Sequence, residues 1–238
     1  MELFWIVLVV VIASLVKGIT GFGFALVALP PLMIWYSPKE IIPVLLLCNL
    51  FASVLIILQK KDRQLINRQF KWLIIFGALF TIVGVIFLKY LSEHLLIVIV
   101  SIFLIILTVL SILGVQYPIK ITNRSYKIAG AFLGFLTGSI SISGPPMALF
   151  LYSAKVDKQQ FREIFSWFSI VTSIVALAGY VVLGILTIES LKMSLLFLPI
   201  LFIGSFIGKK LNNLIPLIVF KKAILIITLF SSVFILLK

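Results

Sequence analysis

Acidic residues are scarce in this 238-residue chain, which has 7 Asp and Glu, 20 Lys and Arg, and a net charge of +13. All seven are predicted to lie in loops or at the ends of apolar runs, so a buried carboxylate proton relay is not expected. The single cysteine, Cys48, excludes an intrachain disulfide. The sequence also lacks a P-loop, a metal-ligand cluster and a plausible catalytic triad, which argues against an ATPase, a metal centre and an enzyme.

Charged residues of either sign make up only 11% of the chain, whereas 63% is hydrophobic. The mean hydropathy of +1.30 predicts a membrane protein. Because the connections are short, residues 1–238 are predicted to form a single membrane domain without a separate soluble domain. The N-terminus lacks the basic region of a signal peptide, so we expect no cleavage. The basic residues lie in short loops, which indicates membrane topology rather than nucleic-acid binding.

Six apolar runs are long enough to cross about 30 Å of hydrocarbon at about 1.5 Å per residue. They occupy roughly residues 40–58, 72–91, 95–114, 163–184, 190–208 and 214–237. Two further apolar segments, 3–36 and 125–153, are interrupted by glycine-rich motifs. We predict that each interruption divides its segment into two arms, of about 15 and 13 residues in the first segment, each too short to cross the membrane.

The two interruptions resemble each other. The first reads Lys17-Gly-Ile-Thr-Gly-Phe-Gly-Phe and ends at Pro30-Pro31, and the second reads Gly134-Phe-Leu-Thr-Gly and ends at Ser143-Gly-Pro-Pro146. Thr137-Gly138 follows Thr20-Gly21 by 117 positions, and the Pro-Pro pairs are 115 apart. A duplicated, broken membrane segment is the best sequence indicator of a transporter binding site.

The distribution of basic residues distinguishes two topologies. If each motif segment crosses the membrane once, the basic residues apart from Lys17 divide 10 to 9 between the two sides. If each segment is a hairpin, they divide 15 to 4, which matches the usual excess in cytoplasmic loops. The larger set is Lys60, Lys61, Arg63, Arg68, Lys71, Lys120, Arg124, Lys127, Lys155, Lys158, Arg162, Lys209, Lys210, Lys221 and Lys222, and the smaller set is Lys39, Lys89, Lys192 and Lys238.

Hairpins are therefore preferred, with the basic loops cytoplasmic and both termini extracytoplasmic. Each half then contains one hairpin and three crossings, an odd number of crossings, so the second half must be inverted relative to the first. The predicted fold is an all-α polytopic membrane protein with two homologous halves, repeat 1 at about 1–115 and repeat 2 at about 124–238.

Irregular backbone at membrane depth is tolerated only where protein, water or substrate satisfies its polar groups. We expect a short helix to start near Phe24 and another near 144–147, each directing its positive N-terminal end into a shared cavity that favours an anion. The candidate substrate-binding residues are Lys17, Thr20, Gly21, Gly23, Asn49, Thr137, Gly138, Ser141, Ser143 and Gly144. Ser139 is a further hydroxyl donor. The candidate structural residues are Gly18, Pro30, Pro31, Gly134, Pro145 and Pro146.

Each of these residues also has a simpler interpretation. Glycine and serine in membrane helices more often serve helix packing than ligand binding. Lys17 could extend to the membrane interface if the break is shallow. Asn49, isolated in an apolar run, suits a hydrogen bond between helices as well as it suits a cavity ligand.

The two motifs, Gly18-Ile-Thr-Gly-Phe-Gly-Phe through Pro31 and Gly134-Phe-Leu-Thr-Gly through Pro146, resemble those of the sulfite exporter TauE/SafE family, also called the 4-toluene sulfonate uptake permease family. The resemblance covers essentially the whole chain, although Phe24 stands where many members continue the glycine run. It implies passage of small sulfur-containing or organic anions such as sulfite or sulfonates.

The sequence thus predicts a secondary carrier for a small anion in the cell membrane, with alternating access around a midplane site. An anion channel with a fixed hairpin filter and a non-transporting membrane assembly factor are the alternatives. No cofactor, metal or nucleic acid is expected. The expected partners are the anionic substrate and the lipid bilayer, and the question of a homo-oligomer is left open.

Overall fold

The computed structural model describes residues 2–58, 68–113, 121–154, 156, 158–211 and 217–237. These residues form ten helices: α1 (Glu2–Thr20), α2 (Phe24–Leu32), α3 (Pro38–Leu58), α4 (Arg68–Tyr90), α5 (Glu93–Ile112), α6 (Asn123–Ile140), α7 (Gly144–Ser153), α8 (Lys158–Val182), α9 (Ile188–Leu211) and α10 (Leu217–Leu236). Among the described residues, helices α1, α3, α4, α5, α8 and α9 contain six stretches that are long and apolar enough to cross a membrane. The all-α polytopic membrane fold is confirmed.

The first motif segment divides unequally, because Gly18 remains helical. Helix α1 has 19 residues and α2 only 9. The prediction that both arms are too short to cross a membrane is therefore wrong for α1, which is one of the six candidate spans. Glycine weakens a helix by only about 1 kcal/mol relative to alanine, and close packing on α9 can offset that loss. A Cβ atom at Gly18 would lie 2.9 Å from Gly208 Cα.

The two breaks occur at equivalent places after α1 and α6. The residue immediately after each helix adopts the left-handed conformation, with φ +88° at Gly21 and 58° at Ser141. This conformation is easy for glycine and uncommon for serine. Helix α2 begins at Phe24 and α7 at Gly144, as the sequence predicts. The breaks are thus 120 positions apart.

The resemblance between Thr20-Gly21 and Thr137-Gly138 is therefore displaced by three residues from the structural correspondence. The prolines do not correspond either: Pro30 and Pro31 lie in the second half of α2, whereas Pro145 and Pro146 follow the first residue of α7. The similar Thr-Gly pairs therefore do not mark the position of the break. The break begins where a residue leaves the right-handed helical conformation, at Gly21 and at Ser141.

Two pairs of helices approach closely through small residues. Gly18 of α1 faces Gly208 of α9, and Gly138 of α6 faces Gly84 of α4. Side-chain hydrogen bonds connect the same two pairs of helices. The Thr81 hydroxyl on α4 donates to Gly134 O at 3.1 Å, and the Ser205 hydroxyl on α9 donates to Ser14 O at 3.4 Å. Small residues allow such contact between helix backbones in membranes.

The second motif segment folds back on itself. The ring of Tyr126, in the first turn of α6, lies 5.2 Å from the ring of Phe150, near the end of α7. The ring of Phe70, near the start of α4, lies 5.4 Å from that of Tyr126. We call this region the Tyr126 end of the bundle.

The opposite end, which we call the Lys39 end, contains the start of α3 and the ends of α4 and α8. Lys39 Nζ donates to Lys89 O at 3.1 Å, and Lys89 Nζ donates to Leu183 O at 2.7 Å. Tyr36, between α2 and α3, has its pKa raised by burial and, to a smaller extent, by the nearby carboxylates of Glu2 and Glu40. Glu2 begins α1, so the first motif segment also returns to the end at which it started.

Several residues in the predicted charge division lie outside the described residues. They are Lys60, Lys61, Arg63, Lys120, Lys155 and Lys238. The repeat boundary near residue 115 also lies outside. The orientation in the membrane and the repeat limits therefore stay predictions.

One acidic residue does not follow the sequence expectation. Glu163 lies within the candidate span Gln159–Val182 and is only 5% exposed. Helix α8 begins at Lys158, several residues before the apolar run starts, which places Glu163 more than one turn inside the helix.

Candidate functional site

The two breaks contact each other. A Cβ atom at Gly144, the first residue of α7, would lie 2.5 Å from the ring of Phe22 in the first break. The Phe22 ring also packs edge-on against Phe161 and Phe165 of α8, at 5.5 and 6.2 Å between ring centroids. Gly144 is thus the residue that allows the first break to approach the second.

A cavity of about 20 Å³, which we call the neutral cavity, lies beside this contact. It has room for about one water molecule. None of its described lining residues is charged, and its polar lining consists of hydroxyl groups, one side-chain amide and backbone. The lining residues are Gly23, Ala25, Leu26, Leu46, Asn49, Thr137, Ser141, Ile142, Ser143, Gly144, Pro145, Phe165, Ser169 and Ser173.

The N-termini of both short helices contribute to the neutral cavity, but they are not equivalent. Gly23 and Ser143 are the N-cap residues of α2 and α7, and neither forms a side-chain cap hydrogen bond. The first turn of α2 presents N–H groups from three residues. In α7, Pro145 and Pro146 have no N–H, so Gly144 alone supplies one in the first turn. The first turn of α2 therefore offers more free N–H donors than that of α7, and anion binding at the two helix ends stays a prediction.

Lys17 is buried deep in the bundle, with a side chain only 2% exposed. Its Nζ donates to Asn49 Oδ1 at 3.0 Å and lies 5.6 Å from the centroid of the Phe165 ring. Asn49 Nδ2 in turn donates to Ser141 Oγ at 3.5 Å, a long hydrogen bond. The Lys17 side chain is therefore enclosed by protein and held by a partner on α3. Asn49 serves as a hydrogen-bond partner between helices and also lines the neutral cavity.

A second cavity of about 70 Å³, which we call the cationic cavity, lies on the other side of Lys17. Three of its lining residues are basic, and its described lining includes no carboxylate. The lining residues are Lys17, Gly18, Ala52, Leu55, Ile56, Arg162, Phe202, Ser205, Phe206 and Lys209. The cavity lies towards the Tyr126 end, because its α1, α3 and α9 residues come late in those helices and Arg162 comes early in α8.

Arg162 connects the cationic cavity to the first break. Its Nη2 donates to Gly18 O at 2.9 Å, near the end of α1 where carbonyl groups lose their helical partners. Its Nε is buried and has no hydrogen-bond partner in the described part of the chain. A Cβ atom at Gly21 would lie 2.8 Å from this nitrogen. Gly21 thus leaves space for Arg162 as well as forming the turn.

Comparison with known protein families gives an almost complete match. The family model described as Sulfite exporter TauE/SafE matches residues 6–235. The chain belongs to this family. Searches among curated proteins and among solved structures found no match. As a TauE/SafE member the chain is a multi-pass membrane protein of a transporter family, in agreement with its six candidate spans.

The predicted site residues of this TauE/SafE protein fall into three groups. Six of them line the neutral cavity: Gly23, Asn49, Thr137, Ser141, Ser143 and Gly144. Lys17 lines the cationic cavity, together with the predicted structural residue Gly18. Thr20, Gly21 and Gly138 line neither cavity.

The residues outside the cavities have structural contacts. The Thr20 hydroxyl donates to Val16 O at 2.9 Å and accepts from Phe22 N at 3.2 Å, which supports the turn of the first break. The carbonyl group of Gly138 accepts a 2.7 Å hydrogen bond from the Tyr180 hydroxyl. Within the described residues, no three His, Cys, Asp or Glu side chains are grouped as metal ligands would be.

Helix α8 supplies site residues that the sequence analysis missed. Ser169 and Ser173 line the neutral cavity, and the buried Ser173 hydroxyl has no hydrogen-bond partner within the described residues. The sequence does contain a pattern that indicates these residues. Ser166, Ser169 and Ser173 are spaced by three and four residues, which places them on one helix face. These serines lie outside the two duplicated motifs, so the repeat does not point to them.

Proposed function

We propose that this TauE/SafE protein is a secondary carrier of a small sulfur-containing or organic anion, such as sulfite, and that the neutral cavity is its central binding site. The observation that carries the proposal is the buried hydroxyl of Ser173, which has no partner among the described residues and lines a cavity rich in hydrogen-bond donors. A buried polar group without a partner is unfavourable. A bound oxyanion would supply the missing acceptor.

The composition of the neutral cavity supports an anion over a cation. Its described lining contains no carboxylate, and the buried amine of Lys17 is hydrogen-bonded to Asn49, which lines the cavity. The uncapped N-terminus of α2 adds a positive dipole end. At about 20 Å³ the cavity must widen to admit sulfite. Movement of the two short helices, α2 and α7, would widen it.

The helix packing supports two inverted halves. Helix α1 runs parallel to α9, since Ser14 faces Gly204 and Gly18 faces Gly208. Helix α6 runs parallel to α4 in the same manner, but α6 begins at the Tyr126 end and α1 at the Lys39 end. Corresponding helices that run in opposite directions are expected of an inverted repeat.

Alternating access is favoured over a fixed channel by the separation of the two cavities. Lys17 lies between them and contacts Asn49 and Phe165, which both line the neutral cavity. A carrier needs such a barrier, which opens on one side at a time, whereas a channel needs a continuous path. Trans-stimulated exchange of sulfite in proteoliposomes distinguishes the two, because a channel does not show it.

The decisive experiment compares Ser173→Ala with Ser53→Ala. Both serines are fully buried and their hydroxyls have no partner in the part of the chain that the structure describes, but of the two only Ser173 lines one of the two cavities. A hydrogen bond to a charged group contributes about 1.5–3 kcal/mol, so the kcat/KM for sulfite flux should fall about tenfold or more in Ser173→Ala. Flux in Ser53→Ala should stay within about twofold of wild type. Equal flux in the two variants contradicts the proposed site, and an absence of wild-type flux in either direction contradicts sulfite transport.

A further inference from the structure

We infer that the cationic cavity is a second binding site for a small oxyanion, distinct from the neutral cavity and located between it and the Tyr126 end. The proposed transport function supplies the physiological role of this second site, whereas anion binding there does not depend on it. The two sites would bind the anion through different kinds of group. The neutral cavity offers uncharged donors, and the cationic cavity offers charge.

The cationic cavity brings basic side chains of α1 and α8 together. Lys17 and Arg162 both line the cavity, and no carboxylate is among its described lining residues. Cations are unfavourable inside a membrane protein unless they are paired or solvated. Like charges that share a cavity also repel each other, and an anion bound between them would remove that repulsion.

The hydrogen-bonding groups of the cavity suit an oxyanion in particular. Arg162 uses Nη2 to hold Gly18 O, and its buried Nε has no acceptor among the described residues. Guanidinium N–H groups match the oxygen atoms of sulfite, sulfonate or phosphate in geometry and charge. At about 70 Å³ the cavity is also larger than the neutral cavity. It has room for several waters or for one small oxyanion.

Lys17 lies between the two cavities and contacts the lining of both. It lines the cationic cavity, while its Nζ is held by Asn49, which lines the neutral cavity. Along α3, Leu55 and Ile56 of the cationic cavity follow Asn49 by six and seven residues, which corresponds to about 10 Å of helix. An anion that moves from one cavity to the other would therefore pass Lys17.

The test measures sulfite binding to the purified full-length protein in detergent by isothermal titration calorimetry. Ser173→Ala serves as the background, because it weakens the neutral site without changing the cationic cavity. In this background, Arg162→Gln should weaken the remaining sulfite binding about tenfold, since it removes a charge and the Nε donor. Lys209→Gln should weaken it about threefold, because Lys209 is an exposed lining residue.

Lys210→Gln is the matched control, since Lys210 is the exposed neighbour of Lys209 and does not line the cavity. It should change the affinity by less than about 1.5-fold. Lys209→Gln alters an exposed side chain, so it remains informative if Arg162→Gln fails to fold. Equal affinities in Lys209→Gln and Lys210→Gln overturn the inference. Loss of all sulfite binding on Ser173→Ala alone also overturns it.

Failure of this inference is distinguishable from failure of the proposed function. If Ser173→Ala lowers flux while Lys209→Gln binds sulfite as Lys210→Gln does, the central site stands and the second site is refuted. If the wild-type protein binds sulfite in an Arg162-dependent manner but does not transport it, the second site stands and sulfite transport is refuted.

Discussion

The hydrogen bond between Lys17 and Asn49 can be tested by a double-mutant cycle. Lys17→Met removes the amine with little change in side-chain length, and Asn49→Leu removes the acceptor with little change in volume. Each single substitution leaves one buried polar group without its partner. The double variant removes both groups, so neither is left buried without its partner. The two single changes should therefore not be additive.

The structure provides the expected size of the coupling. Hydrogen bonds between neutral groups in membrane proteins contribute about 0.6 kcal/mol on average in such cycles. A bond to a charged donor contributes about 1.5–3 kcal/mol in proteins generally. Lys17 is buried and the bond is 3.0 Å long, so we expect a coupling free energy of about 1.5 kcal/mol or more.

The assay is reversible unfolding of the four proteins in mixed detergent micelles, followed by far-UV circular dichroism. A coupling of about 1.5 kcal/mol or more supports a charged amine held by Asn49, and a value near 0.6 kcal/mol indicates that the amine is neutral. Additive effects, with a coupling below about 0.3 kcal/mol, would refute the interaction.

Three further predictions test the packing and the topology. Gly144→Ala should lower flux and stability because its Cβ meets the Phe22 ring, and Phe22→Leu should restore part of both; no rescue would contradict the contact between the breaks. Gly134→Ala should destabilise the fold by about 1–3 kcal/mol in thermal unfolding, because its Cβ meets backbone atoms of α4. Gly179→Ala should have a smaller effect, because the three atoms nearest to its added Cβ belong to the side chain of Val85. A larger destabilisation by Gly179→Ala than by Gly134→Ala would count against the α4–α6 packing. With Cys48 replaced by Ala, impermeant reagents should label cysteines at the two ends of the bundle from opposite sides of the membrane. The test positions are Tyr90 and Ile188 on one side and Thr122 on the other. Labelling of positions 122 and 188 from the same side would exclude the proposed hairpins.

Much of the fold follows from hydropathy and can be predicted without the structure. The predicted runs at 40–58 and 95–114, for example, correspond to Pro38–Leu58 and Glu93–Ile112. Hydrocarbon requires apolar side chains over a length set by the bilayer, so composition alone locates these helices. The starts of α2 and α7 were also predictable, because glycine and proline mark breaks in an apolar segment.

The arrangement of the breaks was not predictable from the repeated motif. The motif aligned Thr20 with Thr137, whereas the structure aligns Gly21 with Ser141. Gly18 continues the helix because Gly208 accepts its close approach, and that contact joins residues almost 200 positions apart. Local propensity contains no information on such a contact, so the sequence placed the break too early and made α1 too short.

The candidate site also depends partly on the sequence and partly on tertiary contacts. The sequence by itself determined the inventory: a membrane chain with few carboxylates, two glycine-rich breaks, a basic residue beside the first break, and hydroxyl groups beside the second. Only the tertiary structure decided that Lys17 and the hydroxyl groups line different cavities, and that Arg162 and Ser173 of α8 belong with them. The physical reason is that composition and periodicity specify which helices the bilayer accepts, whereas the contents of a cavity depend on which helix faces pack together.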